Sequence, residues 1–134
     1  MKLTSKGKYT LCAVLDLAVN LNGSPVRLRE ISDRQGISLH YLEQLFRKLR
    51  NGGVVKSVRG PGGGYVLNQE AGQITVKSIL DSVGESTSFL DQVSVSGTKE
   101  ATATARYFGE RVEGAVISLL STDTLEDLLK TLSS

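Results

Sequence analysis

Apolar residues near the start of the chain recur at intervals of three and four. Leu11, Val14, Leu15, Ala18 and Leu21 predict a helix from Tyr9 to Leu21, with Asn22-Gly23 as its stop and Thr4 or Ser5 as its cap. Pro25-Val26-Arg27-Leu28 then leads into a short helix over Arg29 to Gln35, with Leu28 and Ile31 facing inward and Gly36 in its C-terminal turn. Ser38 is placed to cap a third helix from Leu39 to about Asn51, striped by Leu39, Leu42, Leu45, Phe46 and Leu49 and ended by Gly52-Gly53. The composition then changes character. Val54 to Arg59 and Tyr65-Val66-Leu67 are β-rich runs on either side of Gly60-Pro61-Gly62-Gly63-Gly64, which predicts a hairpin with a glycine-rich tip. Helix, helix, turn, helix, hairpin is the element order of a winged helix-turn-helix domain.

The second half is less regular. Asn68 to Gln73 reads as a polar link, Thr75 as the cap of a short helix through Val83, and Gly84 to Gly97 as a polar loop. From about Lys99 to Leu120 helical spacing returns, with Ala105, Phe108, Val112, Ala115, Val116 and Leu119 on one stripe. The small remaining core cannot cover such a stripe, so Ala105, Phe108, Val112, Val116 and Leu119 are candidate contacts to a second copy of the chain. A last helix is expected over Thr124 to Leu132, with Leu125, Leu128 and Leu129 on one face and Thr122-Asp123 as its start signal. The predicted fold is mainly α: a winged helix-turn-helix domain over 1–84, a loop over 85–98 and dimerisation helices over 99–134, the first of them long.

Composition narrows the class of protein. A chain of 134 residues, 40% hydrophobic, suits one compact unit, and 5% aromatics without Trp calls for a core of aliphatic side chains, as packed helices provide. No stretch reaches the ~18 apolar residues of a membrane span, and the basic start at Met1 to Lys6 is not followed by a secretory leader's apolar run, so a cytoplasmic protein is expected. The net charge of +2 hides an asymmetry: residues 1–67 carry eleven Lys/Arg against four Asp/Glu, and residues 68–134 carry five against ten. A basic half suits a phosphate-binding surface, and an acidic half must face away from DNA.

If the hairpin is a wing, the third helix is the recognition helix, and its outward side chains are the chemistry of interest. These are Ser38, His40, Tyr41, Glu43, Gln44 and Arg47. Gln44 suits adenine, which offers a donor beside an acceptor, and Glu43 suits the cytosine amine. Arg59 stands where the strands turn, and Gly60 and Gly62 let the backbone approach a phosphate, so Arg59 is the candidate cation for a narrow minor groove. The glycine run is no nucleotide loop, because Tyr65-Val66-Leu67 follows it rather than Lys and Ser or Thr. An enzyme is disfavoured as well: the single His40 has no evident nucleophile partner, and no paired carboxylates are signalled.

The runs Leu3-Thr4-Ser5-Lys6-Gly7-Lys8-Tyr9, Ile37 to Leu45 and Val58-Arg59-Gly60-Pro61-Gly62-Gly63-Gly64-Tyr65 resemble the IscR-type iron–sulfur cluster regulators, strongly through Gly84. Thr124-Leu125-Glu126-Asp127-Leu128 resembles the end of the dimerisation helices in that family's cysteine-metabolism repressor branch. The resemblance implies a homodimeric transcription regulator, a repressor in the leading reading, that binds pseudo-palindromic double-stranded DNA. It sets the residues at Ser38, His40, Tyr41, Glu43 and Gln44 in the major groove and Arg59 in the minor groove. The alternative it carries is a module that docks onto a metabolic enzyme. Cluster-binding members place three cysteines before the long helix, and here Val93 to Arg106 offers hydroxyls and one carboxylate, so the expected cofactor is none. Two origins fit that loss: a natural cluster-less member, or a variant whose ligand cysteines were replaced by Ser and Ala. The single Cys12 reads as a small buried hydrophobe rather than a metal ligand or sensor.

Overall fold

The computed structural model describes residues 5–85, 111, 114–115 and 118–133. Its elements are α1 (Ser5–Val19), α2 (Leu28–Gln35), α3 (Leu39–Asn51), β1 (Val55–Val58), β2 (Gly64–Leu67), a 3₁₀ turn over Ala71–Gln73, α4 (Val76–Ser82) and α5 (Leu125–Ser133). Ala105, Phe108, Val112, Val116, most of the 85–98 loop and much of the predicted long helix lie outside the described residues. Residues 118–122 are helical, and Leu119 among them is exposed.

The first helix begins four residues before its predicted start at Tyr9 and stops at Val19 rather than Leu21. Its opening turn is held by Thr10, whose hydroxyl donates to the Lys6 carbonyl at 2.7 Å, and by burial of Gly7 and Thr10. Small and polar residues do this packing, so hydrophobic periodicity did not mark it. Cys12 is exposed, contrary to the expectation of burial. The buried face of α1 contains Gly7, Thr10, Val14 and Leu17, and at 3.6 residues per turn position 12 falls on the opposite side.

One carboxylate joins α1 to α2. Asp16 has a side chain only 2% exposed, and the Arg34 guanidinium grips it with Nε at 3.0 Å from Oδ2 and Nη2 at 2.8 Å from Oδ1. The Gln35 amide donates to Oδ2 at 2.9 Å, and Asn20 donates to the Asp16 carbonyl at 2.8 Å. Burial pushes the Asp16 carboxyl up, but hydrogen bonds from Arg34 and Gln35, the guanidinium charge and Asn20 outweigh it and hold the group below its ordinary value. The arginine is correspondingly held more firmly charged.

Gly36 ends α2 in the left-handed conformation, φ 68°, with its N–H on the Ser32 carbonyl at 2.9 Å. Ser32 Oγ donates to the Ile37 carbonyl at 2.6 Å, and Ser38 Oγ accepts the Tyr41 N–H at 3.1 Å as the predicted cap of α3. Leu42, Leu45, Phe46 and Leu49 are all at most 2% exposed, which fixes α3 by its back. The hairpin pairs Val55 with Leu67 and Val58 with Gly64, and Val26 bridges the far side of β2 through both its N–H and its carbonyl to Tyr65. Phe46 meets the Tyr65 ring edge-on at 5.0 Å, tying α3 to the hairpin.

Thr75 caps α4 by accepting the Ser78 N–H, as predicted. The last helix returns to this same core: Thr75 and Thr124 form an antiparallel bridge, Leu125 donates its N–H to the Ile74 carbonyl at 2.8 Å, and its side chain is fully buried. Its cap is Thr124 rather than the expected Thr122-Asp123. Thr124 N–H reaches Asp127 Oδ2 at 3.0 Å and the Asp127 N–H returns to Thr124 Oγ1 at 3.2 Å, a reciprocal box. The backbone N–H and the hydroxyl of Thr124 together hold the Asp127 carboxyl below its ordinary value.

Asp16→Asn should lower stability by roughly 1–3 kcal/mol, the worth of hydrogen bonds to a buried charged group. Because the folded-state pKa of Asp16 is depressed, its contribution is complete above the ordinary carboxylate value of 3.8 and fades as pH falls through the lower folded value. Urea melts of parent and variant should therefore differ fully near neutral pH and converge progressively below about pH 4. A difference that persists undiminished in strong acid would assign the effect to packing instead.

Candidate nucleic-acid interface

Helical geometry decides which residues of α3 can act outward. With its back buried, positions 40, 43, 44 and 47 fall within one face, and His40, Glu43, Gln44 and Arg47 are all exposed there. Glu43 and Arg47 form no ion pair, although they lie four residues apart, so both remain available to a ligand. His40 and Gln44 do meet, with the Gln44 Nε2 at 3.1 Å from the His40 Nε2. Ser38 is exposed at the helix start, its oxygen engaged by the Tyr41 N–H while its own hydroxyl hydrogen stays free to donate.

Tyr41 differs from the others. It is half-buried and stands edge-on to Tyr9 of α1, with ring centroids 5.9 Å apart, so it faces α1 as well as the outside. Tyr9, Gly36, Ile37, Ser38 and Tyr41 together border a crevice of about 320 Å³ beside the first turn of α3. Tyr9 stands in the run Leu3 to Tyr9 that carries the resemblance, but no pattern in the sequence assigns it to this crevice.

The wing is a separate cluster. Arg59 and Gly60 follow β1 and are exposed, Gly60 has φ 106°, and the Gly63 N–H closes the turn on the Gly60 carbonyl at 2.9 Å. The space around Gly62 is open, whereas a Cβ on Gly63 would overlap the Val58 carbonyl oxygen, so the turn cannot exchange Gly63 for lack of space, nor Gly60 for its positive φ. Sequence reasoning also missed Arg27, whose guanidinium donates to the Pro61 carbonyl and braces the tip. That contact spans 34 residues, and no local pattern announces it. Arg59 itself has no hydrogen-bond or ion-pair partner among the described residues.

The exposed face of α3 and the wing thus present hydroxyl, imidazole, amide, carboxylate and guanidinium groups on a basic half of the chain. Besides Glu43, the acidic side chains of this half are Asp16, buried and neutralised by Arg34, Glu30, exposed and 3.8 Å from the same guanidinium, and the exposed Asp33. This is the arrangement of a winged helix-turn-helix, and comparison with known proteins agrees. The family model described as Rrf2, iron-dependent transcriptional regulator, matches residues 3–131. The chain belongs to the Rrf2 family.

Among solved structures, this Rrf2 chain is similar to CymR of B. subtilis, described as its global cysteine regulator, with a TM-score of 0.81 and 36% identity over 98% of each chain. It is also similar to T. potens IscR, with a TM-score of 0.79 and 35% identity over 98% of this chain and 88% of the other. Of curated relatives, the HTH-type transcriptional regulator IscR of Cronobacter sakazakii is 59% identical over 86 residues, 64% of this chain and 53% of that protein. The chain spans about half the length of the curated relatives it matches. The family resemblance raises the question of an iron–sulfur cluster, and the donor set does not fit one. The sequence holds one Cys and one His, Cys12 sits on the exposed side of α1, and His40 is on α3, so they cannot supply four soft ligands to one site.

Gly63→Ala should cost about 1–3 kcal/mol through the overlap at the Val58 carbonyl, while Gly62→Ala, facing open space, should be close to neutral. Thermal melts of both variants, with hydrogen exchange at the residue-63 amide, check the pair. Equal behaviour would mean that the tip does not hold this turn.

Proposed function

We propose that this Rrf2 chain is a homodimeric, sequence-specific DNA-binding repressor, with α3 in the major groove and Arg59 in the adjacent minor groove. The observation that carries the reading is the exposed row His40, Glu43, Gln44 and Arg47 on a helix whose back is wholly buried, next to a braced hairpin that offers an unpaired arginine. Ser38 and Tyr41 at the helix start serve phosphates and the first base step, and Gly60 and Gly62 let the wing backbone come close to the duplex. Two-fold symmetry of the protein calls for a pseudo-palindromic operator. The exposed Leu119, with Ala105, Phe108, Val112 and Val116 on the same sequence stripe, serves as the contact between copies. The descriptions of the family as iron-dependent and of its B. subtilis relative as a global cysteine regulator support a role in iron–sulfur or cysteine homeostasis. We read the chain as working without a bound cluster, since its donor set lacks the ligands; the iron and sulfide content of anaerobically purified protein tests this.

Selection of binding sites from a random duplex pool, followed by affinity measurements across a salt series, tests the central claim. A selected pseudo-palindrome whose affinity falls steeply with salt supports it, and recovery of no sequence overturns it. Arg59→Ala should reduce affinity, lower the salt slope by about one and flatten the preference for A·T-rich positions beside the helix contacts.

Glu43 bears a charge that phosphates repel, so its role concerns selectivity. Glu43→Ala should keep or raise affinity while broadening the set of sites recovered. The same consensus recovered at the same stringency would remove Glu43 from recognition. For the dimer, Val112→Asp with Val116→Asp should give monomers or aggregates in sedimentation, and an unchanged dimer would exclude this stripe as the interface.

A further inference from the structure

The contact between His40 and Gln44 has a chemical consequence for base reading. Both side chains are exposed on the outward face of α3, one helical turn apart, with the two nitrogens 3.1 Å from each other. An amide nitrogen only donates, so the ring nitrogen facing it must accept, and the imidazole proton then resides on Nδ1. One of the two amide hydrogens of Gln44 is engaged in this bond. The other hydrogen and Oε1 are left side by side on the free edge of the amide.

Resting on the DNA-binding reading above, the geometry points to His40 as the positioning residue that fixes which way the Gln44 amide faces, and thereby makes Gln44 select adenine over guanine. A donor beside an acceptor complements the N7 acceptor and N6 amine of adenine. Were the amide turned over, Oε1 would face residue 40 and the donor and acceptor on the free edge would exchange places, setting the N–H opposite the 6-position, where it complements O6 of guanine and opposes the N6 amine of adenine. In free solution the two orientations exchange. With its proton on Nδ1, His40 accepts at Nε2 and favours the first before DNA arrives, so less ordering remains for the encounter. Neither Glu43 nor Arg47, the charged residues on the same face, forms an ion pair that would hold the amide instead.

The test is base selection from a random duplex pool with the full chain, comparing the parent with His40→Ala, His40→Gln, His40→Lys and Gln44→Ala. Gln44→Ala identifies the position that Gln44 reads, which should be adenine in the parent. At that position His40→Ala should lower the adenine-to-guanine ratio by about three- to tenfold. His40→Gln, whose carbonyl can accept the same hydrogen, should keep the ratio, and His40→Lys, which only donates, should shift it toward guanine. With alanine already at 44, His40→Ala should change nothing further there. A His40→Ala ratio equal to the parent's overturns the inference even if the melting temperature falls, because the pair then only supports the helix. A Gln44-dependent position that is not adenine overturns it too. Recovery of no site by the parent is a different failure: it removes the DNA reading, and this inference with it.

Discussion

The orientation of the helix-turn-helix depends on one carboxylate withdrawn from water. Asp16 could not stay charged at 2% side-chain exposure unless Arg34, Gln35 and Asn20 saturated it. Those partners come from the end of α2 and the end of α1, so the bonds that keep the carboxylate ionised also set how the two helices cross. An apolar contact in the same place would tolerate sliding; a bidentate guanidinium does not. From that crossing Gly36 turns the chain and Ser38 starts α3, whose buried back then holds its direction.

Given that direction, α3 separates its tasks by face. Leu42, Leu45, Phe46 and Leu49 are consumed by the core, with Phe46 passing the constraint on to Tyr65 and so to the hairpin. The outward residues carry almost no structural duty, which leaves them free to vary in chemistry without loss of fold. The wing follows the same division. Arg27 and Gly63 hold its shape, and Arg59 is left unbound at its edge. The charge split along the chain bears on the same division, since Asp16, one of the four acidic residues of the basic half, is buried and paired with Arg34.

Most of the winged-helix half was legible because its signals are local. The cap at Ser38, the left-handed Gly36, the glycine-rich turn and the stripe of α3 each depend on residues within a few positions of one another, and all appear where the pattern set them. What escaped was non-local or written in polar residues. The Asp16–Arg34 pair and the Arg27–Pro61 brace join distant positions without periodicity, and the early start of α1 rests on Gly7 and Thr10. Cys12 was misjudged because a residue type's usual burial says less than its angular position on a particular helix. The cap of α5 was placed two residues early, since Thr122, Asp123 and Thr124 all have capping chemistry and only Thr124 has Asp127 at the spacing for a reciprocal box.

The bridge between Thr75 and Thr124, with Leu125 inserted beside Ile74, means that the core is discontinuous along the chain. Glu85, bonded to the Leu80 carbonyl, and Asp123, whose carbonyl accepts the Val76 N–H, are both fixed on the side of α4. The entropy of closing a segment between two such points grows only logarithmically with its length, so a change of length between them costs the domain little. A sensory segment could be gained, lost or rebuilt there while the recognition helix kept its place. The same topology has a vectorial consequence during synthesis. Leu125 emerges some fifty residues after Ile74, so a nascent chain that has already exposed its whole recognition helix still lacks one fully buried side chain of the core. The core that carries the recognition helix is complete only when the chain has come back on itself.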